Sequence, residues 1–332
     1  MKIVIDSGIP FIKGVFEPYA EVCYIEGRSI TRDDVRDADA LVVRTRTHCN
    51  RELLDGSKVR LVVTATIGTD HIDLDYCQEQ GIVVKNAAGC NARGVLQWVA
   101  AVLAHIVNKR GVSPSDLTLG IVGVGNVGSL VWEYAQTWGF RTICCDPPRE
   151  QREHLGFLSI ENVFASADIV TMHTPLASDT FHLVNDNLLS GWRDSGKILI
   201  NASRGEVVDT KALLCSGVEC AIDVWEHEPD IDHTLLDKAF VATPHIAGYS
   251  LQGKANATAM AVASVATHFG LPLSGWYPMG ISPSNPLPIS WEKMCDTILD
   301  HYDIVADSFA LKHHPEEFEH LRNGYCYREE YF

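Results

Sequence analysis

Short apolar and β-branched runs alternate with helix-like stretches along most of this chain, and that alternation limits its possible folds more than any other feature. Residues 2–5, 21–25, 40–44, 60–65 and 82–85 form a first series of such runs. Residues 118–122, 141–145, 168–173, 197–201, 219–224 and 240–243 form a second. The runs are continuously apolar or β-branched, as strands covered on both faces must be. Helix signals separate them, such as Thr31-Arg32-Asp33-Asp34 and Asp73-Leu74-Asp75-Tyr76-Cys77. The pattern predicts two α/β domains with parallel sheets around a cleft, plus a small C-terminal extension. A length of 332 residues suits about two domains.

Residues 91–108 read as a long helix with Val95, Val99, Val102, Leu103 and Ile106 on one face, ended by a loop at 109–116. Residues 251–269 read as a second long helix, rich in Ala. The stretch 270–288 is dense in Pro, Gly and Ser and reads as a linker, and 289–332 is charged, aromatic and mostly helical. The expected division is a first domain at 1–92, completed by about 253–284, a dinucleotide-binding domain at 93–252, and an extension at 285–332.

Within the second series, a strand at 118–122 runs into Gly123-Val124-Gly125-Asn126-Val127-Gly128 and then a helix. Gly123 permits a tight turn, Gly125 admits a pyrophosphate close to the backbone, and Gly128 lets helix and strand pack. Asp146 ends the next strand, 18 residues after Gly128. An acid there bonds ribose hydroxyls and repels a 2′-phosphate, so NAD is expected rather than NADP. Arg149 nearby keeps NADP in view. Thr174, in His173-Thr174-Pro175, offers a hydroxyl to a cofactor or simply ends a strand.

Three polar residues stand just beyond later strands: Arg204 after 197–201, Glu228 after 219–224 and His245 after 240–243. Ligands of open parallel sheets bind beyond the carboxyl ends of strands. A guanidinium there holds a carboxylate in a bidentate pair. A neutral imidazole oriented by a carboxylate is a suitable base near pH 7. The set predicts hydride transfer between a nicotinamide and a 2-hydroxy acid. In the first series, Arg44-Thr45-Arg46 and residues 64–69 follow strands. They offer hydroxyls and cations to a phosphate or carboxylate, or they are ordinary turns with solvated charges.

The net charge of −16 argues against nucleic-acid or anionic-membrane partners and makes a pocket arginine informative. Ten scattered cysteines without a Cys-x-x-Cys pair suit reduced thiols in a cytoplasmic protein with no metal site. No apolar run approaches the ~18 residues of a membrane helix.

The segments 120–128, 198–205, 221–229 and 243–248 resemble the D-2-hydroxyacid dehydrogenase family, a likeness that covers about residues 1–270. A narrower likeness, to a branch acting on a phosphorylated acid, rests on residues 43–45, 64–73, 89–92, 145–148 and 245–250, with 318–322 and 327–329 in the tail. The resemblance implies that Arg204 and Glu228 are active-site residues and His245 the proton carrier. Thr45, Thr66 and Tyr249 match substrate contacts, and Arg44 and Arg46 lie beside them. Asp146, Thr174, Ala202, Ser203, Arg204, Asp223 and Gly248 match the NAD site, together with the glycine loop. A homodimer built partly by the extension is also implied. Ile67 stands where a smaller residue is expected, and the tail is shorter than the family's. Two other readings are the same chemistry on another acid, such as 3-phosphoglycerate, and an NAD-sensing corepressor-like protein.

Overall fold

The computed structural model describes residues 1–332 apart from Asp194 and Pro286. Pro286 falls in the expected linker, and for that residue the expectation lies outside the described residues. All eleven apolar runs are strands: β1 (Lys2–Asp6), β2 (Glu21–Ile25), β3 (Ala40–Val43), β4 (Leu61–Thr64), β5 (Val83–Asn86), β6 (Thr118–Val122), β7 (Arg141–Cys145), β8 (Ile169–Met172), β9 (Ile198–Asn201), β10 (Glu219–Ile222) and β11 (Val241–Ala242). They form two sheets, each within one of two compact units.

The first unit comprises Met1–Asn91 and Leu251–Pro283. Its sheet is parallel, in the order β2-β1-β3-β4-β5. The helix Leu251–Phe269 covers one face, setting Ala261, Val262 and Val265 against Ile3, Ile5, Leu61 and Val63. Small Ala side chains let this helix lie close to the sheet, and Thr258 Oγ1 donates to the Pro10 carbonyl at 2.9 Å. Val35, Leu53, Tyr76 and Cys77 fill the other face.

The second unit comprises Ala92–Ser250 and Ser284–Phe332. Its six strands are all parallel, in the order β11-β10-β9-β8-β6-β7. Strand order reverses between β6 and β8, so their carboxyl ends frame the crevice where open α/β sheets take ligands. The helix Ala92–Arg110 lays Val99, Leu103 and Ile106 on the Leu119, Ile121, Ile198 and Ile200 face. Each such side chain contributes roughly 1.5–3 kcal/mol by leaving water. This helix is two residues longer at its C-terminus than the sequence implied and is buried beyond one stripe, including Gln97 and Trp98. The reason is the tail: Met294 and Ile298 of the helix Trp291–His301 cover its outer side.

The rest of the tail is also built into this unit. Leu311 and Phe318 enter the core on the opposite face of the sheet. Arg328, buried, donates to the carbonyls of Ala247 at 2.7 Å and Ile246 at 3.3 Å. It also donates to the Tyr325 hydroxyl at 2.8 Å, which donates to Asp307 Oδ2 at 2.9 Å. Its guanidinium lies over the Tyr302 ring, 4.1 Å from the centroid.

Burial pushes the Asp307 carboxyl up to about 6, although the Tyr325 hydroxyl and the Arg328 charge favour its ionised form. A carboxyl with a raised folded-state pKa binds more protons in the folded chain than in the unfolded one. Its contribution to stability is therefore full below the unfolded pKa near 3.9 and is lost as pH rises through about 6. Asp307→Asn should gain stability relative to the wild type across that window and hold the gain above it. Urea midpoints at a series of pH values read this directly; a gap that does not widen with pH contradicts it.

Candidate active site and cofactor cradle

The loop after β6 has the geometry its glycines imply. Gly123 stands at φ +85°, and a Cβ there would lie 2.7 Å from the His173 carbonyl carbon and 2.8 Å from the Thr174 nitrogen. The ends of β6 and β8 therefore meet backbone to backbone at the point of reversal. A Cβ on Gly128 would lie 1.9 Å from the Gly123 oxygen, so helix and loop pack as closely as only glycine allows. Gly125 faces open space. It precedes the helix Asn126–Thr137 with no side-chain cap, which leaves the first N–H groups of Asn126 and Val127 directed at whatever fills that space.

Asp146 ends β7 with both oxygens engaged. Oδ2 accepts from the Val124 nitrogen at 2.8 Å, and Oδ1 accepts from the Arg149 nitrogen at 2.9 Å. The carboxylate thus braces the glycine loop. Each oxygen keeps a second lone pair, and the residue is only half-buried. Arg149 is turned onto the same loop, donating to the Val124 carbonyl at 2.8 Å and Ser129 Oγ at 2.9 Å, with Nε on Glu153. The Thr174 hydroxyl is buried and has no hydrogen-bond partner among the described residues. A buried hydroxyl left unpaired costs about 1–3 kcal/mol. Open space at Gly125, uncapped helix N–H groups and an orphaned hydroxyl beside Gly123 together fit a dinucleotide. Beside them, burial holds His173 down to about 3, so it is neutral.

The turns that bear the polar strand-end residues meet through close backbone contact. A Cβ on Gly205 would lie 2.0 Å from the Trp225 carbonyl carbon, so the turn bearing Arg204 presses on the turn that leads to Glu228. Arg204 Nη1 donates to the Ser203 carbonyl at 2.7 Å. Ser203 itself is fixed by Asn201, whose Oδ1 accepts from its hydroxyl at 2.8 Å and its nitrogen at 3.1 Å. Ala202, half-buried, completes this turn.

Glu228 and His245 meet directly: Oε2 and Nδ1 are 2.7 Å apart. Oε1 accepts from the Trp225 nitrogen at 3.0 Å. Burial works against the Glu228 charge, but the His245 imidazole, its hydrogen bond and the Arg322 guanidinium outweigh it and leave the pKa lowered. An ionised acceptor on Nδ1 fixes the tautomer with the proton there, so Nε2 is the basic nitrogen. His245 sits at φ +58°, a left-handed conformation that costs a non-glycine residue of order 1–2 kcal/mol. The strain is held by Asp223, fully buried at the end of β10. Its Oδ1 accepts from the Thr243 hydroxyl at 2.6 Å and the Ile246 nitrogen at 2.8 Å, and its Oδ2 from the Ala247 nitrogen at 3.0 Å. Burial still raises the Asp223 pKa against these bonds. Gly248, next along, is approached by the long helix: a Cβ on Gly94 would lie 3.2 Å from its carbonyl carbon.

The sequence reading missed several parts of this arrangement. Trp98 Nε1 donates to Thr243 Oγ1 at 3.0 Å, and Trp225 Nε1 donates to the Thr243 carbonyl at 2.9 Å. Arg322, from the tail, places Nη1 3.5 Å from Glu228 Oε2. Tyr249 packs edge-on against Tyr325 and Tyr327, with centroids 6.3 and 6.1 Å away. The tryptophans carry a signal in the sequence, as large side chains with one N–H that burial must satisfy; Tyr249 and the segment 318–322 carry only the family likeness.

In the first unit, Arg44 is half-exposed and places Nε 2.9 Å from Oδ2 of the buried Asp6. It packs so tightly over Gly8 that a Cβ there would fall 1.8 Å from Nη2. Much of its guanidinium is thus committed to ordering the β1 end. Thr45 is exposed and Arg46 half-buried. The Thr66 hydroxyl lies 2.6 Å from the Thr64 hydroxyl, which lies 3.2 Å from His71 Nε2. Burial pushes His71 down to about 4, keeping this relay uncharged. The Ile67 carbonyl accepts from Asn86 Nδ2 at 2.7 Å.

A doubly wound parallel sheet with a glycine cradle and a Glu–His pair at its carboxyl edge defines a nicotinamide-dependent dehydrogenase. Residues 91–247 match the model of the D-isomer specific 2-hydroxyacid dehydrogenase NAD binding domain. The chain belongs to that family: it is an NAD-dependent oxidoreductase acting on a CH–OH group. It is 46% identical to an erythronate-4-phosphate dehydrogenase of Bacteroides thetaiotaomicron, over 99% of this chain and 97% of the relative. Identity is 37% to the Porphyromonas gingivalis enzyme of the same name, over 99% and 94% of the two chains. Among solved structures, an NAD+-bound 3-phosphoglycerate dehydrogenase of Entamoeba histolytica superposes with a TM-score of 0.67 at 25% identity, covering 82% of this chain and 97% of its own.

His245→Ala should cut turnover by about 10²–10⁴-fold with NAD affinity kept, the loss expected of a general base. Steady-state rates beside a fluorescence titration with NAD separate the two; unchanged turnover removes His245 from that role.

Proposed function

We propose that this chain oxidises the C2 hydroxyl of 4-phospho-D-erythronate to 2-oxo-3-hydroxy-4-phosphobutanoate, reducing NAD, as a step of pyridoxal phosphate biosynthesis. The observation that carries this reading is the extent of likeness. Its erythronate-4-phosphate dehydrogenase relatives match 99% of the chain, tail included, whereas the 3-phosphoglycerate dehydrogenase structure covers 82%.

The site residues divide the work. His245 Nε2 takes the hydroxyl proton, and Glu228 stabilises the imidazolium that forms. Arg204 holds the substrate carboxylate and polarises C2. Bound NAD would supply the acceptor for the hydride that leaves C2. The glycine loop, Asp146, Thr174, Ala202, Ser203, Asp223 and Gly248 hold the dinucleotide. Thr45, Thr66 and Tyr249 contact substrate, and Arg44 and Arg46 supply positive charge for its phosphate. Residues 1–92 with 253–284 serve as the substrate domain and 93–252 as the NAD domain.

The test is nicotinamide absorbance with NAD and NADP against a panel of 4-phosphoerythronate, 3-phosphoglycerate and unphosphorylated acids. The expected result is 4-phosphoerythronate oxidised with NAD at the highest kcat/KM. Better turnover of 3-phosphoglycerate would transfer the assignment to that acid, and NAD-dependent association without turnover would favour a sensing role.

A cytoplasmic homodimer completes the reading. No helix among the described residues is long and apolar enough to cross a membrane. The segment 285–332 leaves Leu299, Val305 and Phe309 exposed at 81%, 55% and 62%, an apolar surface that suits a second copy. Sedimentation at micromolar concentration should give twice the chain mass; a monomer there removes the dimer.

A further inference from the structure

Glu228 Oε2 has two cationic or donor neighbours rather than one. His245 Nδ1 is 2.7 Å away and Arg322 Nη1 is 3.5 Å away. Arg322 lies far along the chain from both, on the short helix Phe318–Asn323. That helix is fixed by Phe318, only 1% exposed within the sheet core beside Leu311. The Arg322 guanidinium also donates to the Tyr249 side chain. One planar group therefore joins the orienting carboxylate to a residue expected at the substrate. Its side chain is 21% exposed and that of Glu228 18%, so solvent and salt screen the pair weakly. An outer ion pair that merely tied the tail down would not need to share the oxygen used by the imidazole.

We propose that Arg322 is a positioning residue of the Glu228–His245 dyad: held between Glu228 Oε2 and the Tyr249 hydroxyl, it orients the carboxylate against the imidazole and opposes a second positive charge there. This inference rests on the dehydrogenase reading of the dyad. Glu228 alone would favour an imidazolium, which cannot accept a proton from substrate. The Arg322 charge on the same oxygen works against that pull. It also attracts the carboxylate oxygen that faces His245, while the Trp225 nitrogen holds the other oxygen.

The groups facing the dyad come from several elements. Asp223 lies at the β10 end, Tyr249 on the His245 loop itself and Arg322 on the tail helix. Behind the loop stand Arg328, Tyr325, Tyr302 and Asp307. Arg322 forms an ion pair with Glu228 at the oxygen that the imidazole also uses.

The test replaces Arg322 by Gln and follows the His245 imidazole by NMR in the cofactor-free protein, alongside the pH profile of kcat/KM. The dyad titrates as a unit. Its midpoint should move up by about one unit in Arg322→Gln, a roughly tenfold gain in proton affinity. The acid limb of kcat/KM should move with it, so that the variant loses more activity on the acid side of the profile than on the alkaline side. Arg322→Lys draws the charge back from Oε2 and should give roughly a third of the shift; it carries the test if the Gln chain does not fold. An unmoved titration in the folded variant overturns the proposal. A raised KM with the limb in place would make Arg322 a substrate anion ligand instead, and a lowered Tm alone would make it tail anchorage. The titration needs no substrate, so it decides this point even if the substrate panel gives no turnover.

Discussion

One buried carboxylate carries the geometry of the site. Asp223 has almost no access to solvent, yet it accepts from the Thr243 hydroxyl and the nitrogens of Ile246 and Ala247. These bonds offset the desolvation of its charge. They also wrap the chain after β11 into the turn that holds His245 at a positive φ. From that backbone the imidazole reaches Glu228, which the neighbouring turn presents. Thr243 passes the same constraint outward to Trp98, in the long helix, so the carboxyl edge of the sheet and its helical cover are one hydrogen-bonded piece.

The tail extends that piece. Arg328 satisfies the carbonyls of Ile246 and Ala247 from the other side of the loop, while Asp223 satisfies their nitrogens. Ser250 Oγ donates to Glu330 Oε1 at 2.6 Å, closing the loop's exit. In a chain of net charge −16, two tail arginines are placed within reach of the dyad and its loop. Local concentration of scarce cations is how an acidic protein manages anionic chemistry. The tail also decides which relatives resemble this chain throughout: it is matched in the erythronate-4-phosphate dehydrogenases, which span 99% of the chain.

Much of this was legible without coordinates. The inner strands were visible because both faces of a parallel sheet are covered, which turns a strand into an unbroken apolar run; β2, β5 and β7, at sheet edges, are only partly buried and carry charged or polar residues. The glycine cradle was visible because close backbone approach excludes every Cβ, and the dyad because β-strand ends in such sheets point at ligands. Arg44 was harder: its sequence context allows a phosphate ligand, while the structure commits Nε to Asp6, 38 residues away. Asp146 carries a similar lesson, since its oxygens already hold two backbone nitrogens at the glycine loop.

The sequence by itself determined the alternation of strands and helices, the parallel sheets, the turn glycines and the chemical identity of the strand-end residues. These follow from local covalent limits and from periodic burial, both of which are written in neighbouring residues. Only the tertiary structure decided that Trp98 and Asp223 share Thr243, that the tail packs on the long helix on one side of the second unit and on the sheet on the other, and that Arg322 stands at Glu228. Those pairings join residues scores of positions apart, and a charge or hydroxyl carries no mark of the distant partner that packing brings to it.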